Sequence, residues 1–226
     1  PEIHALAFSL PAQTLTNTGS APPSRLAAII RASGRAAILR GAAGAAAAPD
    51  PTATAPPPAA VAILESYGPA ASPSPVRGLV RIVRLGPDSS AWDVALSGVE
   101  PGTYGVAVRR CGDVSGGVAS VGGVWGGEGE GGEARGWIGR VVVEAPTAPT
   151  APAAGSLFVE RAIDVSDVLG RAVVAVRCGE ADADADALVG VVARSAGLWD
   201  NEKTVCSCSG KTVWEEGVEM GGRGML

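Results

Sequence analysis

One histidine, His4, occurs in the 226 residues. That scarcity excludes any site built from several imidazoles, and His4 itself has no co-ligand nearby and reads as incidental. Cysteine is nearly as scarce. Cys111, Cys178, Cys206 and Cys208 are too few for a disulfide-dense secreted scaffold of this length, and a cytosolic protein with a working dithiol fits better. Aromatic residues make up 4%, so the 46% apolar content is mostly alanine and valine. No run approaches the ~18 apolar residues of a membrane-spanning helix. Positive charge is short as well: the net charge of −5 argues against nucleic acid or an anionic membrane as the main partner. No signal-peptide pattern is present, and the chain starts at Pro1, inside a strand-like segment, as a fragment or processed form would.

Glycine (32) and proline (17) are plentiful, and they imply many turns and linkers rather than long helices. The length allows one large or two small domains. Residues 1–44 read as strand (3–10), strand (13–18), helix and short strand (35–40). Pro22, Pro23 and Ser24 start the helix; Leu26, Ile29 and Ile30 form its apolar stripe, and Gly34 stops it. Residues 45–58 are a Pro/Ala linker with no apolar period. From Val61 onward short strands recur at 61–65, 76–84, 91–98, 102–109, 137–144, 170–177 and 187–193, with turn signals between them. That spacing predicts an antiparallel sandwich or barrel. Residues 112–136 are Gly-rich and predict a long loop, and 145–155 a Pro/Ala/Thr insertion. In 180–186, Asp182, Asp184 and Asp186 alternate with alanine but lack the glycine and terminal glutamate of a calcium loop, so this is a solvated loop.

Cys206 and Cys208 stand one residue apart, between Lys203 and Lys211. The two lysines favour thiolate over thiol; Glu202, Glu215 and Glu216 partly offset them. Such a pair can hold one soft ion, expose a reactive dithiol, or be two incidental thiols. Two sulfurs suffice for Cu(I) but not for a closed structural zinc site, which wants four ligands.

Val76-Arg77-Gly78, Gly102-Thr103-Tyr104-Gly105, Cys111-Gly112-Asp113 and Gly170-Arg171-Ala172-Val173-Val174 resemble the Greek-key barrel of copper/zinc superoxide dismutase. The segment from Gly190 to Asn201, running into Cys206-Ser207-Cys208-Ser209-Gly210-Lys211-Thr212-Val213-Trp214, resembles the end of the fungal copper chaperones for superoxide dismutase. The resemblance implies a mainly β fold: a partial ferredoxin-like domain (1–44), the linker, a dismutase-like barrel (59–199) and a C-x-C tail (200–226). It implies a first domain lacking its early half, since no M-x-C-x-x-C precedes Cys111, with a helix face and a sheet edge that the absent half would cover. It places Ala107, Arg109, Val124 and Val176 where copper-ligating histidines stand, and Val118 and Val189 where the dismutases have a disulfide. No zinc site and no dismutase activity are therefore expected in the barrel.

The resemblance further implies docking on a superoxide dismutase as a heterodimer, with homodimerisation as a second use of the barrel. Arg194, Ser195, Gly197 and Trp199 would belong to that interface, Trp199 as a buried anchor. Cys206 and Cys208 would carry Cu(I) and exchange disulfides in the cytoplasm, with the mitochondrial intermembrane space as a second location. Two rival readings remain at this stage: a diverged dismutase, against which the missing histidines argue, and a binding module with idle thiols. Cys111 and Cys178 each follow a strand and read as isolated thiols, unless the fold brings their Cα atoms within about 7 Å.

Overall fold

Valine-rich stretches that alternate with polar residues, cut by glycine and proline, favour strands over helices, and the chain folds accordingly. A computed structural model describes residues 2–33, 35, 37, 59–66, 76–127, 134–146, 152–179 and 187–195. The first part is a hairpin of β1 (Ile3–Ser9) and β2 (Thr14–Gly19), followed by helix α1 (Pro23–Ala32). The second is a sheet of β3 (Ala59–Ser66), β4 (Val76–Gly86), β5 (Ser89–Ser97), β6 (Gly102–Val108), β7 (Trp137–Val143), β8 (Ala154–Arg161), β9 (Ala172–Arg177), β10 (Leu188–Val191) and β11 (Ala193–Arg194). A short helix, α2 (Val165–Val168), lies between β8 and β9.

The strand order is β7-β6-β9-β10-β3-β4-β5-β8, with β11 continuing β10 along β3. β9 lies beside β6 and β8 returns to the far side of β7, which is the Greek-key order. The sheet curls until β7 and β8 meet in a seam. At one end of the seam the Glu144 N–H donates to the Ala154 carbonyl (3.0 Å). At the other end the Arg161 guanidinium donates to the carbonyls of Trp137 and Ile138. Between them Gly155 lies against the Val142 carbonyl, where a Cβ would collide. The result is a nearly closed antiparallel barrel, in the manner expected of a dismutase-like fold.

Strand β8 and helix α2 are additions to the sequence reading. β8 begins inside the Pro/Ala/Thr stretch at 145–155, and its Leu157-Phe158-Val159 run hides the alternation: Leu157 and Val159 pack on the core while Phe158 faces out. The continuous strand expected at 187–193 is two strands, β10 and β11, joined across Val192, which turns to the Gly170–Arg171 backbone. The expected strand at 35–40 and the linker at 45–58 fall outside the described residues.

The core is filled by Trp92, Tyr104, Leu64, Ile82, Leu96, Ile138 and many valines. Burying an indole requires a partner for its N–H; Trp92 Nε1 donates to Ser90 Oγ (3.0 Å), which donates to the Ile163 carbonyl (2.7 Å). The long loop is held by Trp125. Its backbone exchanges hydrogen bonds with Val108 and Gly136, and the guanidinium groups of Arg135 and Arg171 stack on its ring at 4.6 and 4.8 Å.

Asp164 caps α2. Its carboxylate accepts the Ser166 N–H (2.7 Å) and meets both terminal nitrogens of Arg84 at 2.6 Å. Burial raises the Asp164 pKa, but the Ser166 hydrogen bonds and Arg84 together outweigh it and hold the carboxyl below its ordinary value. A carboxyl depressed in the folded state stabilises the fold above its unfolded pKa, and that contribution is lost as pH falls through the folded pKa. Asp164→Ala should therefore cost about 2 kcal/mol in urea denaturation at pH 7, from the lost cap and ion pair. The gap between variant and wild type should narrow as pH drops below about 4.

Candidate functional site

Strand β3 opens with Ala59-Ala60-Val61-Ala62-Ile63-Leu64, apolar on both faces. A barrel strand with one wet face should alternate, so a strand apolar on both sides implies that its outer side is covered as well. Ala60, Ala62 and Leu64 point into the core. Val61 and Ile63 point outward, and Ile63 is 51% exposed. The register of β10 and β11 on β3 is the same on either side of the break, which places Val191 opposite Ile63 and Ala193 opposite Val61. Val191 is 37% exposed, and Ala193 is exposed too.

Gly112 keeps this face low beside Val191, where it lies on the Gly170 carbonyl. Gly190 has the inward parity of Leu188 and lies on the Ile63 carbonyl beside Leu64, so a Cβ at either glycine would collide with backbone. Together Val61, Ile63, Val191 and Ala193, with Gly112 and Gly170 alongside, form one low-relief apolar surface. Its rim carries Arg194, which is exposed and paired with Ala60, and Ser195, whose N–H donates to the Ala59 carbonyl (3.1 Å). The structure thus brings Arg194 and Ser195 to the edge of an apolar face. Gly197, Trp199, Cys206 and Cys208 lie outside the described residues.

The sequence reading missed Ile63 and Val191 as surface residues. The sequence shows two runs, 59–64 and 187–193, with no polar residue to mark an outer face, which signals a covered outer side without saying which residues form it.

The positions expected to match dismutase ligands are built differently. Ala107 is buried in β6 opposite Val174, and Val176 pairs with Gly105. Arg109 and Val124 form an isolated antiparallel bridge, with Arg109 buried. Val118, Val176 and Val189 join Val121, Ala172 and Val174 in a second, smaller apolar cluster. The two valines matched to the dismutase cysteines therefore pack in the same cluster, and the long loop closes over apolar contacts. Among the described residues no group of histidine, cysteine and carboxylate side chains is placed to hold a metal.

Cys111 and Cys178 are free and exposed. The Cys111 carbonyl accepts from Ala172 N, at the start of β9, whereas Cys178 N donates to Thr103, at the start of β6. They sit at opposite ends of one antiparallel pair, roughly 20 Å apart at strand spacing, so they do not form a disulfide within the chain. Cys111 donates to the Ser120 carbonyl (3.3 Å) beside the apolar face.

No family model matches the chain. Curated relatives do. The chain is 36% identical to the superoxide dismutase 1 copper chaperone of Debaryomyces hansenii, over 96% of this chain and 85% of that protein. It is 34% identical to the protein of the same name from Saccharomyces cerevisiae, over 96% and 84%. It is 29% identical to the human copper chaperone for superoxide dismutase, over 90% and 75%. Among solved structures, that of the clock protein EA4 aligns with a TM-score of 0.46 and 20% identity, over 63% of this chain and 98% of that one.

Proposed function

The chain belongs to the family of copper chaperones for superoxide dismutase, and from that premise we propose that it docks on a superoxide dismutase, delivers Cu(I) to it from Cys206 and Cys208, and promotes formation of its disulfide. The observation that carries the docking half is the flat outward row of Val61, Ile63, Val191 and Ala193, rimmed by Arg194 and Ser195. Contiguous apolar surface on one side of a barrel is what a protein–protein interface needs at its centre. A partner with a similar barrel offers a face of like shape, so the complex is a heterodimer that imitates a two-fold pair. The same face serves homodimerisation when no target is present. Gly197 and Trp199 extend the interface, with Trp199 as its aromatic anchor.

The transfer half rests on chemistry. In a chain with one histidine, the soft donors able to take Cu(I) are sulfurs, and Cys206 and Cys208 are the only two placed one residue apart. Copper is cargo here. It passes by ligand exchange, each chaperone sulfur released as a target ligand binds, so free copper never forms. Dismutation by the barrel is no part of this reading: the alkyl side chains of Ala107, Val124 and Val176 have no donor atoms. The working compartment is the reducing cytoplasm, where exposed thiols persist, with the intermembrane space of mitochondria as a second site of action.

Anaerobic titration of the reduced chain with Cu(I), against a chromophoric competing chelator, tests the assignment. One tightly bound Cu(I) per chain is expected, lost in the Cys206→Ser, Cys208→Ser double variant. Absence of binding by the wild type would instead favour the metal-free binding module.

A further inference from the structure

Asp93 stands on the outward side of β5, between the core residues Trp92 and Val94, yet it is 2% exposed. An outward carboxylate on a barrel strand ordinarily faces water. Its barrel partner, Arg81 on β4, is at 3.5 Å. The short bonds come from elsewhere: Ser24 N donates to Oδ2 at 2.9 Å and Ser24 Oγ to Oδ1 at 2.5 Å, from 69 residues earlier in the chain.

Ser24 lies in the first turn of α1. That helix has no cap of its own. Pro22 makes no side-chain bond at the N-cap, and Pro23 has no N–H. The Ser24 N–H is thus the first donor the helix leaves without an internal partner, and the carboxylate that takes it stands at the positive end of the helix dipole. Arg31, at the other end of α1, acts on the same site. Burial lowers the Arg81 pKa, Asp93 raises it, and Arg31 lowers it further.

We propose that Asp93 is a latch, capping α1 from the barrel and so fixing the β1–β2–α1 module against the outer face of β4 and β5. The grip is narrow and mainly polar. Ala27 is the one buried residue of the helix, and Ile29 is 59% exposed. A contact of that kind opens without disturbing the barrel core. Its position has a consequence for assembly. Ala193, Val61, Arg81 and Asp93 occupy one cross-strand row, so the latch lies about 10 Å from Val61 at ordinary strand spacing. The module is held beside the apolar face of β3 and β10 and leaves that face open.

Backbone 15N relaxation on the full chain tests the latch. In the wild type, amides of β1, β2 and α1 should share the rotational correlation time of the barrel. Ser24→Pro removes both bonds to Asp93 while leaving the Arg81–Asp93 pair, and the helix can begin one residue later with proline at its favoured first position. The expected result is loss of the shared correlation time, with helical chemical shifts retained over residues 25–31 and the barrel melting temperature unchanged. Ser24→Ala, which leaves the helix sound, removes only the hydroxyl bond and should show a smaller shift in the same direction. Independent tumbling of the module in the wild type would overturn the latch. So would unchanged tumbling in both variants.

Discussion

A chain carrying Cys206→Ser and Cys208→Ser together should bind its dismutase with wild-type affinity and activate none of it. Serine preserves size and polarity, so any effect is one of sulfur chemistry. A neutral hydroxyl is a poor, hard donor for Cu(I), so both ligands are lost. The second function fails for a separate reason. Once copper has left, dioxygen can take two electrons and two protons from the Cys206–Cys208 dithiol, giving hydrogen peroxide and a disulfide, and in that disulfide form the pair can accept two electrons. A target thiolate attacks one sulfur and releases the other as thiolate, and the mixed disulfide is then resolved by the target's second thiolate. The target dithiol ends oxidised and the chaperone pair ends reduced. Either single variant lacks the internal disulfide and cannot start that exchange. Activity of copper-depleted, reduced target after incubation with Cu(I) and each variant provides the measurement, alongside thiol counting on the target. Recovery of target activity with the double variant would sink the assignment of the tail.

The strands were readable because valine-rich alternation and Gly/Pro turns are local signals. What escaped depends on contacts far apart in sequence. In Ala91-Trp92-Asp93-Val94, Asp93 alternates like a solvent-facing residue, and nothing nearby predicts that Ser24 will cover it. β8 was hidden because Phe158, an apolar residue on the outer side, erased the alternation of Leu157 and Val159. The sequence left the relation of Cys111 to Cys178 open, and the antiparallel pairing of β6 and β9 settles it by sending them to opposite ends. The apolar face was concealed by its own composition. When both sides of β3 are apolar, a hydropathy pattern cannot say that Ile63 is on the surface; only the register with Val191 does. The C-x-C pair is the converse case: spacing and charge left it open between a soft-ion site, a reactive dithiol and idle thiols, the resemblance of the tail to the copper chaperones chose among them, and it lies outside the described residues.

Ile63→Glu should weaken docking on the reduced dismutase by at least about 100-fold, close to 3 kcal/mol, without unfolding the chaperone. Ile63 is half in water in the free chain, and substitutions at such surface positions usually change stability by within about 0.5 kcal/mol. In the complex the same side chain would face a partner across Val191, and a glutamate there would be buried without a counter-charge, a cost of several kcal/mol. Gly112 and Gly190 are poorer probes, because a Cβ at either collides with backbone and would damage the barrel itself. Val142→Glu supplies the control. Val142 is 60% exposed on β7, so the chemistry of the change matches but its position on the barrel differs, and docking should be unaltered. Titration calorimetry or analytical ultracentrifugation with the metal-free target reads both. The Ile63 variant should still bind Cu(I) with wild-type stoichiometry while failing to activate the target, the reverse of the double cysteine variant, which docks but carries nothing. Wild-type docking by Ile63→Glu would move the interface off the β3–β10 face and leave the transfer chemistry of Cys206 and Cys208 to be tested on its own terms.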